Sequence, residues 1–367
     1  MNITFLIGNG FDRNLGLKTT YSEFIKWYKK TPAITDTLKK FREYINDNEE
    51  LWSAAEEELG KYTAQFDAGA GAMFYECHKD ICEHLACYLK DEQGKFESQA
   101  LVNEIENAFS QLKALTSPFH TQEKEVLDAV YTNRRNENVI FNFITYNYTD
   151  TLDQCLKLAQ KKQGLLGTHK YGTSILNHTV GAIHHVHGTV NSQMVFGVND
   201  KSQIAKPDIF NCEYGDLYEE LLIKQQANQG YQENADAKAK KLLNESHILY
   251  IYGMSIGTTD KLWWERVCAW LTGNAERHVV LFCYDMPVEG VIDIDRKIAE
   301  RKARRTITQY SQLDDQKKQA IEPRIHVTNA NIFQGLTDIA RDTPKEYLAA
   351  SKEIREKGTE EIAAAIS

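Results

Sequence analysis

The chain has 367 residues, 42% of them hydrophobic and 26% charged, the balance of an ordinary globular protein able to bury a sizeable core. This excludes collagen-like, disordered and disulfide-scaffold proteins. Lys plus Arg number 43 against 52 Asp plus Glu, so the net charge of −9 gives no overall pull toward nucleic acid or anionic lipid.

No run of 18 or more apolar residues occurs, and no basic segment precedes Ile3. A cytoplasmic protein with no membrane contact is the expectation. Of the seven cysteines, Cys77, Cys82 and Cys87 are spaced five apart on a helix, which spreads them around the cylinder. His78 and His84 lie among them, but no CxxC pair accompanies them, so reduced thiols and no metal are expected.

Ile3 to Ile7 is a short apolar run closed by Gly8, the pattern of a strand buried on both faces. From about Ser22 to Tyr131 the apolar spacing is three and four, which predicts helices and a helical insertion over 31–135. Strand texture returns at Val139 to Thr145, followed by a helical Leu152 to Leu158. Shorter strands are expected around Ile183 to His187 and Met194 to Phe196, then a polar helical stretch from Tyr214 to Leu243. His247 to Tyr252 is a further strand, with a helix opening at Asp260 to Trp264. Val279 to Cys283 and Ile325 to Val327 complete the strands. Arg296, Lys297, Arg301, Lys302, Arg304 and Arg305 share one helix with Glu300, which reads as a solvated face rather than a nucleic-acid contact in so acidic a chain. Residues 344–367 read as a C-terminal Ala, Glu and Lys helix, packed on the body or on a second copy. Strands alternating with helices predict an α/β fold with a mostly parallel sheet covered on both faces. The core is then discontinuous, 1–30 and 136–343, around the insertion.

In such a sheet the loops at the carboxyl ends of the strands meet at the ligand crevice. Four loops follow predicted strands. The first is Gly8-Asn9-Gly10-Phe11-Asp12, with Gly16 behind it. Its glycines allow close backbone approach, but the third glycine falls six positions after Gly10, which departs from the usual dinucleotide fingerprint. A tight turn without ligand fits equally well. The second, Thr145 to Asp150, offers Asn147 and Tyr148. Its amide suits orienting a ribose hydroxyl or a water, and the alternative is a turn that caps the next helix. The third holds His184, His185 and His187 before Gly188. Three histidines suggest metal, yet no carboxylate lies nearby in sequence, and one working imidazole, His187 as general base, is preferred. The fourth, Gly253 to Asp260, contains Ser255 and suits hydrogen bonding to a sugar or phosphate.

Gly8-Asn9-Gly10-Phe11-Asp12, with Gly16-Leu17 and Tyr21 to Phe24, resembles the opening of the bacterial abortive-infection AbiH family. The order of the four loops is similar to the sirtuin-like NAD-binding fold. That resemblance implies a Rossmann-like core, with Gly8, Gly10 and Gly16 as cofactor-loop glycines, Asn147 in the catalytic pocket and His187 as base. Gly253 and Ser255 would then contact ribose. The four-cysteine zinc module of sirtuin deacylases is absent, which argues against deacylation, and Asp12 stands where sirtuins carry a small residue.

The resemblance implies an anti-phage effector that binds NAD⁺ and hydrolyses its N-glycosidic bond, with NAD as substrate and no metal. Asn147, His187 and Asp12 are the catalytic candidates. Gly8, Asn9, Gly10, Phe11, Gly16, Tyr148, Gly188, Gly253, Ser255 and Asp260 are the nucleotide-binding candidates. The alternative is a nucleotide-binding sensor that signals to a partner without turnover. A nuclease is disfavoured because no clustered acidic metal site stands out. A homo-oligomer and a phage-derived trigger or defence partner are expected.

Overall fold

A computed structural model describes residues 1–112, 119, 121–160, 164–230, 235–287 and 294–336. The helix expected over 344–367 lies outside the described residues. Seven strands form one sheet: β1 (Asn2–Ile7), β2 (Val139–Thr145), β3 (Gly167–Tyr171), β4 (Ser174–His185), β5 (Ile248–Tyr252), β6 (His278–Phe282) and β7 (Ile325–Thr328), in the order β3-β4-β2-β1-β5-β6-β7. All neighbours are parallel except β3, which runs antiparallel to β4.

The continuous apolar runs form the central strands because both faces of the sheet are covered. Ile3, Phe5 and Ile7 join Phe141, Phe143, Tyr250 and Phe282 on one face. Leu6, Ile144, Leu249, Ile251, Val279 and Leu281 face the other way, onto Trp263, Trp264 and Trp270. Helices Val102–Ser110 and Thr151–Ala159 pack on the first face. Helix Lys261–Gly273 packs on the second.

A third core lies beside the sheet. Residues 21–89 supply Phe24, Phe41, Trp52, Phe74 and Ile81, and residues 190–223 return to it with Phe196, Phe210 and Leu222. The stretch 31–135 therefore divides: its first part builds this lobe, while Ile105, Phe109 and Leu127 belong to the sheet's core. Helix Tyr21–Tyr28 starts at a reciprocal cap, with the Thr20 hydroxyl accepting from the Glu23 N–H and the Glu23 carboxylate accepting from the Thr20 N–H.

Three expectations need correction. No strand covers Met194 to Phe196; the Val195 N–H donates to the His187 carbonyl, and Phe196, with Met194 packed against it, belongs to the third core. The strand expected around Ile183 to His187 is present as the end of the longer β4 but stops at His185, and β4 pairs with an edge strand over a turn at Gly172. The polar stretch 214–243 is broken at Ile223, which is extended and bridges Val198, so that helices Gly215–Leu222 and Lys224–Gly230 are separate. The basic helix Ile294–Thr308 is solvated at Lys297, Arg301, Lys302 and Arg305, whereas Arg296 is buried against Glu300 and Arg304 pairs with Glu123.

Candidate functional site

The register places Ile7, Thr145, His185 and Tyr252 level with one another at the carboxyl ends of four adjacent strands. The loops that leave these positions touch each other. The Gly8 N–H donates to the Tyr252 carbonyl at 2.9 Å and the Gly10 N–H to the Gly253 carbonyl at 2.7 Å. A Cβ on Gly10 would stand 2.3 Å from the Gly253 Cα, so the first and fourth loops need glycine to cross. Their glycines serve this crossing, and these two N–H groups are used within the protein.

Asp12 ties the first loop to the second. It is 1% exposed, and its carboxylate accepts from the hydroxyls of Thr149, at 2.6 Å, and Thr151. Burial pushes its carboxyl above the usual aspartate range, against the pull of those two hydrogen bonds. Asn9 bonds Thr19, Phe11 packs edge-on to Phe333, and Gly16, in the left-handed region at φ 79°, ends the short helix Gly10–Asn14.

The second and third loops are joined by the Val190 N–H donating to the Tyr148 carbonyl at 2.7 Å and the Tyr148 hydroxyl donating to the Val195 carbonyl at 2.9 Å. Gly188, at φ 71°, makes the turn between them; a Cβ there would meet the Gln193 carbonyl. His185 bridges back, with Nδ1 3.1 Å from the Asn147 carbonyl and Nε2 2.8 Å from Asp153. The carboxylate that the sequence did not place near these histidines is Asp153.

His187 is 6% exposed and flanked by Tyr146 edge-on at 5.6 Å and Tyr148 at 6.1 Å. Burial, and then the charge of Lys224, hold its imidazole well below its usual range, so it is neutral at pH 7. Its Nε2 lies 3.9 Å from Asp260, and Asp260 lies 3.7 Å from Lys224 Nζ. Lys224 in turn donates to Glu56 at 2.7 Å, and Glu56 accepts from the Tyr21 hydroxyl at 3.0 Å. Burial disfavours the Lys224 charge, but Glu56 and Asp260 outweigh it and raise its ammonium above the usual range. Burial, with Asp260 nearby, raises the Glu56 carboxyl despite Lys224. This cluster joins the sheet to the helical lobe.

Asn147 is 7% exposed; its amide reaches toward the Asp12 carboxylate, but neither its oxygen nor its nitrogen has a partner at normal hydrogen-bond distance, and the adjacent Tyr146 hydroxyl is likewise buried without a partner. Buried polar atoms rarely stay unpaired. His187, Asp260 and Lys224 line a small cavity of about 20 Å³ together with Asn199, Asn228 and Trp263. A cleft of about 240 Å³ adjoins it through Asn228, walled by His184, His185, Gly188, Thr189 and Ser192.

The structure places His187 and Asp260 on the small cavity and Gly188 on the adjoining cleft; Tyr148 packs beside His187, while Asn147, Tyr148, Gly8, Asn9, Gly10, Phe11, Gly16 and Gly253 line neither. Ser255 is exposed and does not line the cavity. Glu56, Lys224, Tyr21 and Tyr146 were not singled out from the sequence. Glu56 sits in the acidic run Glu56 to Glu58 and Lys224 directly after Leu221-Leu222-Ile223, and neither context signals a buried charge. Among the described residues no group of three or more His, Cys, Asp or Glu is arranged to hold a metal ion, and no helix is long and apolar enough to cross a membrane.

Fold and site together define an α/β protein with a mostly parallel sheet and a buried polar centre at its strand ends. The family model for bacteriophage abortive infection AbiH matches residues 4–282, and the chain belongs to that family. Its role is accordingly in abortive infection, a defence against phage. No curated protein and no solved structure matches the chain.

Proposed function

We propose that this abortive-infection protein binds a nucleotide at the carboxyl ends of β1, β2, β4 and β5 and hydrolyses the N-glycosidic bond of NAD⁺. Leaving out antiparallel β3, the strand order matches that of doubly wound dinucleotide folds, and the order reverses at β1, between β2 and β5, where such folds hold their ligand. The carrying observation is Asn147, a buried amide just past the carboxyl end of β2 and beside Asp12, with neither polar atom paired at normal hydrogen-bond distance. An amide so placed orients a ribose hydroxyl or a water. His187, neutral at pH 7, is able to take that water's proton. The departing base leaves positive charge on the ribose, which nearby carboxylates favour. Asp12, already bound by two threonine hydroxyls, acts by fixing the second loop.

Ligand sites commonly enclose about 300–1,000 Å³. The cavity beside His187 holds about 20 Å³ and the adjoining cleft about 240 Å³, so binding requires the wall between them to move. Purified protein and phage-infected cells are both assayed for nicotinamide release. Alanine at Asn147 or His187 is expected to reduce it ~10²–10⁴-fold with the fold retained; full turnover in both variants refutes the assignment.

The internal use of the Gly8 and Gly10 N–H groups and the small volume of the cavity favour a second reading, a nucleotide sensor without turnover. Binding of NAD⁺ or ADP-ribose without nicotinamide release, in resting protein and during infection, selects it.

A further inference from the structure

We infer that Asp260 is a further catalytic residue, whose carboxylate faces the positive charge of the substrate, so that the site takes the cationic nicotinamide ring in preference to its neutral, reduced form. This deepens the N-glycosidic reading above and rests on it.

The charges around the cavity carry the argument. Lys224 lies between two carboxylates, Glu56 and Asp260. It stands at 2.7 Å from the first and 3.7 Å from the second, so the Glu56 charge is the better matched. Asp236, which also lines the cavity, is paired with Arg266, and His187 is neutral. With these groups ionised the balance around the small cavity is −1, Lys238 adds a cation on the wall of the adjoining cleft, and Asp260 is less closely matched by Lys224 than Glu56 is. Asp260 lies on the cavity wall beside His187, with its side chain 16% exposed. A carboxylate in a water-poor site attracts a cation far more strongly than it does in bulk solvent.

When the bond between ribose C1′ and the ring nitrogen breaks, the bonding pair leaves with nicotinamide and the cation passes to the ribose. Water then adds to C1′ and gives up its proton to His187. The products are nicotinamide, ADP-ribose and a proton. Asp260 acts on the charge throughout, and its effect is greatest where that charge resides on the ribose, next to the imidazole.

The test compares wild type, Asp260→Asn and Asp260→Glu as full-length protein, with thermal melting to verify folding. Binding of NAD⁺ and of NADH is measured for each, alongside kcat and KM for nicotinamide release. Wild type is expected to prefer NAD⁺ by at least about tenfold. Asp260→Asn should lose that preference and lower kcat ~10²–10³-fold, more than it changes KM. Asp260→Glu should recover part of both. Wild-type kcat, or an unchanged NAD⁺ preference, in folded Asp260→Asn overturns the role of Asp260 and leaves NAD⁺ hydrolysis standing. Absence of NAD⁺ binding and of hydrolysis in wild type, in infected cells as well, overturns the reading of the site and this inference with it.

Discussion

The Lys224 ammonium stands 2.7 Å from a Glu56 carboxylate oxygen, across 168 residues of sequence, and both side chains are 7% exposed. This pair fastens the helical lobe to the segment that follows the third core. Removing one partner leaves a buried charge uncompensated, so Lys224→Met is expected to cost about 3–5 kcal/mol in denaturant unfolding. The Glu56→Gln, Lys224→Met double variant should lose clearly less than the two single losses added together. Simple additivity would show that the two charges do not act on each other.

Asp12 supplies the acceptor for two buried hydroxyls. Asp12→Ala is expected to destabilise the protein by about 2–4 kcal/mol, because the hydroxyls of Thr149 and Thr151 lose their partner. Its carboxyl is raised above 3.8, so the folded state holds that proton more tightly than the unfolded state does. Wild-type stability relative to the variant therefore falls as pH rises from 3.8 through the folded value. Unfolding curves at a series of pH values should show the larger penalty on the acid side.

Both ring nitrogens of His185 face acceptors, the Asn147 carbonyl and the Asp153 carboxylate, an arrangement that favours the doubly protonated ring. Burial opposes this charge, but the hydrogen bond and charge of Asp153 outweigh it and raise the ring above its usual 6.5. The resulting stability is complete below 6.5 and is lost as pH rises through the folded value. His185→Gln should cost about 1.5–3 kcal/mol near pH 6 and progressively less in alkali. A ring titration by NMR with a midpoint at or below 6.5 would count against the double protonation.

The crossing of the first and fourth loops leaves no room for a methyl group, since the atom opposed to Gly10 is backbone. Gly10→Ala is expected to lower stability by at least about 3 kcal/mol or to prevent accumulation of folded protein. Ser255→Ala, at an exposed position in the same loop cluster, should change it by no more than about 0.5 kcal/mol. Melting temperatures of the two variants measure the contrast directly.

The sheet was readable where the physics is local. Ile3 to Ile7, Val139 to Thr145 and His247 to Tyr252 are apolar runs closed by a turn residue, and each is a central strand. β3 escaped notice because Gly167–Tyr171 is an edge strand with one apolar residue, Tyr171, which gives no alternation to read. Asn147 and His187 lie two residues past the ends of β2 and β4, where their loop positions predict them, whereas Asp260 sits at the start of helix Lys261–Gly273. Glu56 and Lys224 were hidden because their burial depends on a partner far along the chain, and nothing within several residues of either records that partner.

β1 lies at the centre of the sheet, between β2 and β5, yet it is synthesised long before them: β2 begins at Val139 and β5 at Ile248. At ~5–20 residues per second its two hydrogen-bonding edges wait on the order of 10–50 s for neighbours. On the ribosome this strand is thus a sticky apolar ribbon without a mate. The helices of residues 21–89 build a separate core and leave β1 uncovered until β2 and β5 emerge, so a shortage of holdase chaperones should depress the yield of this protein.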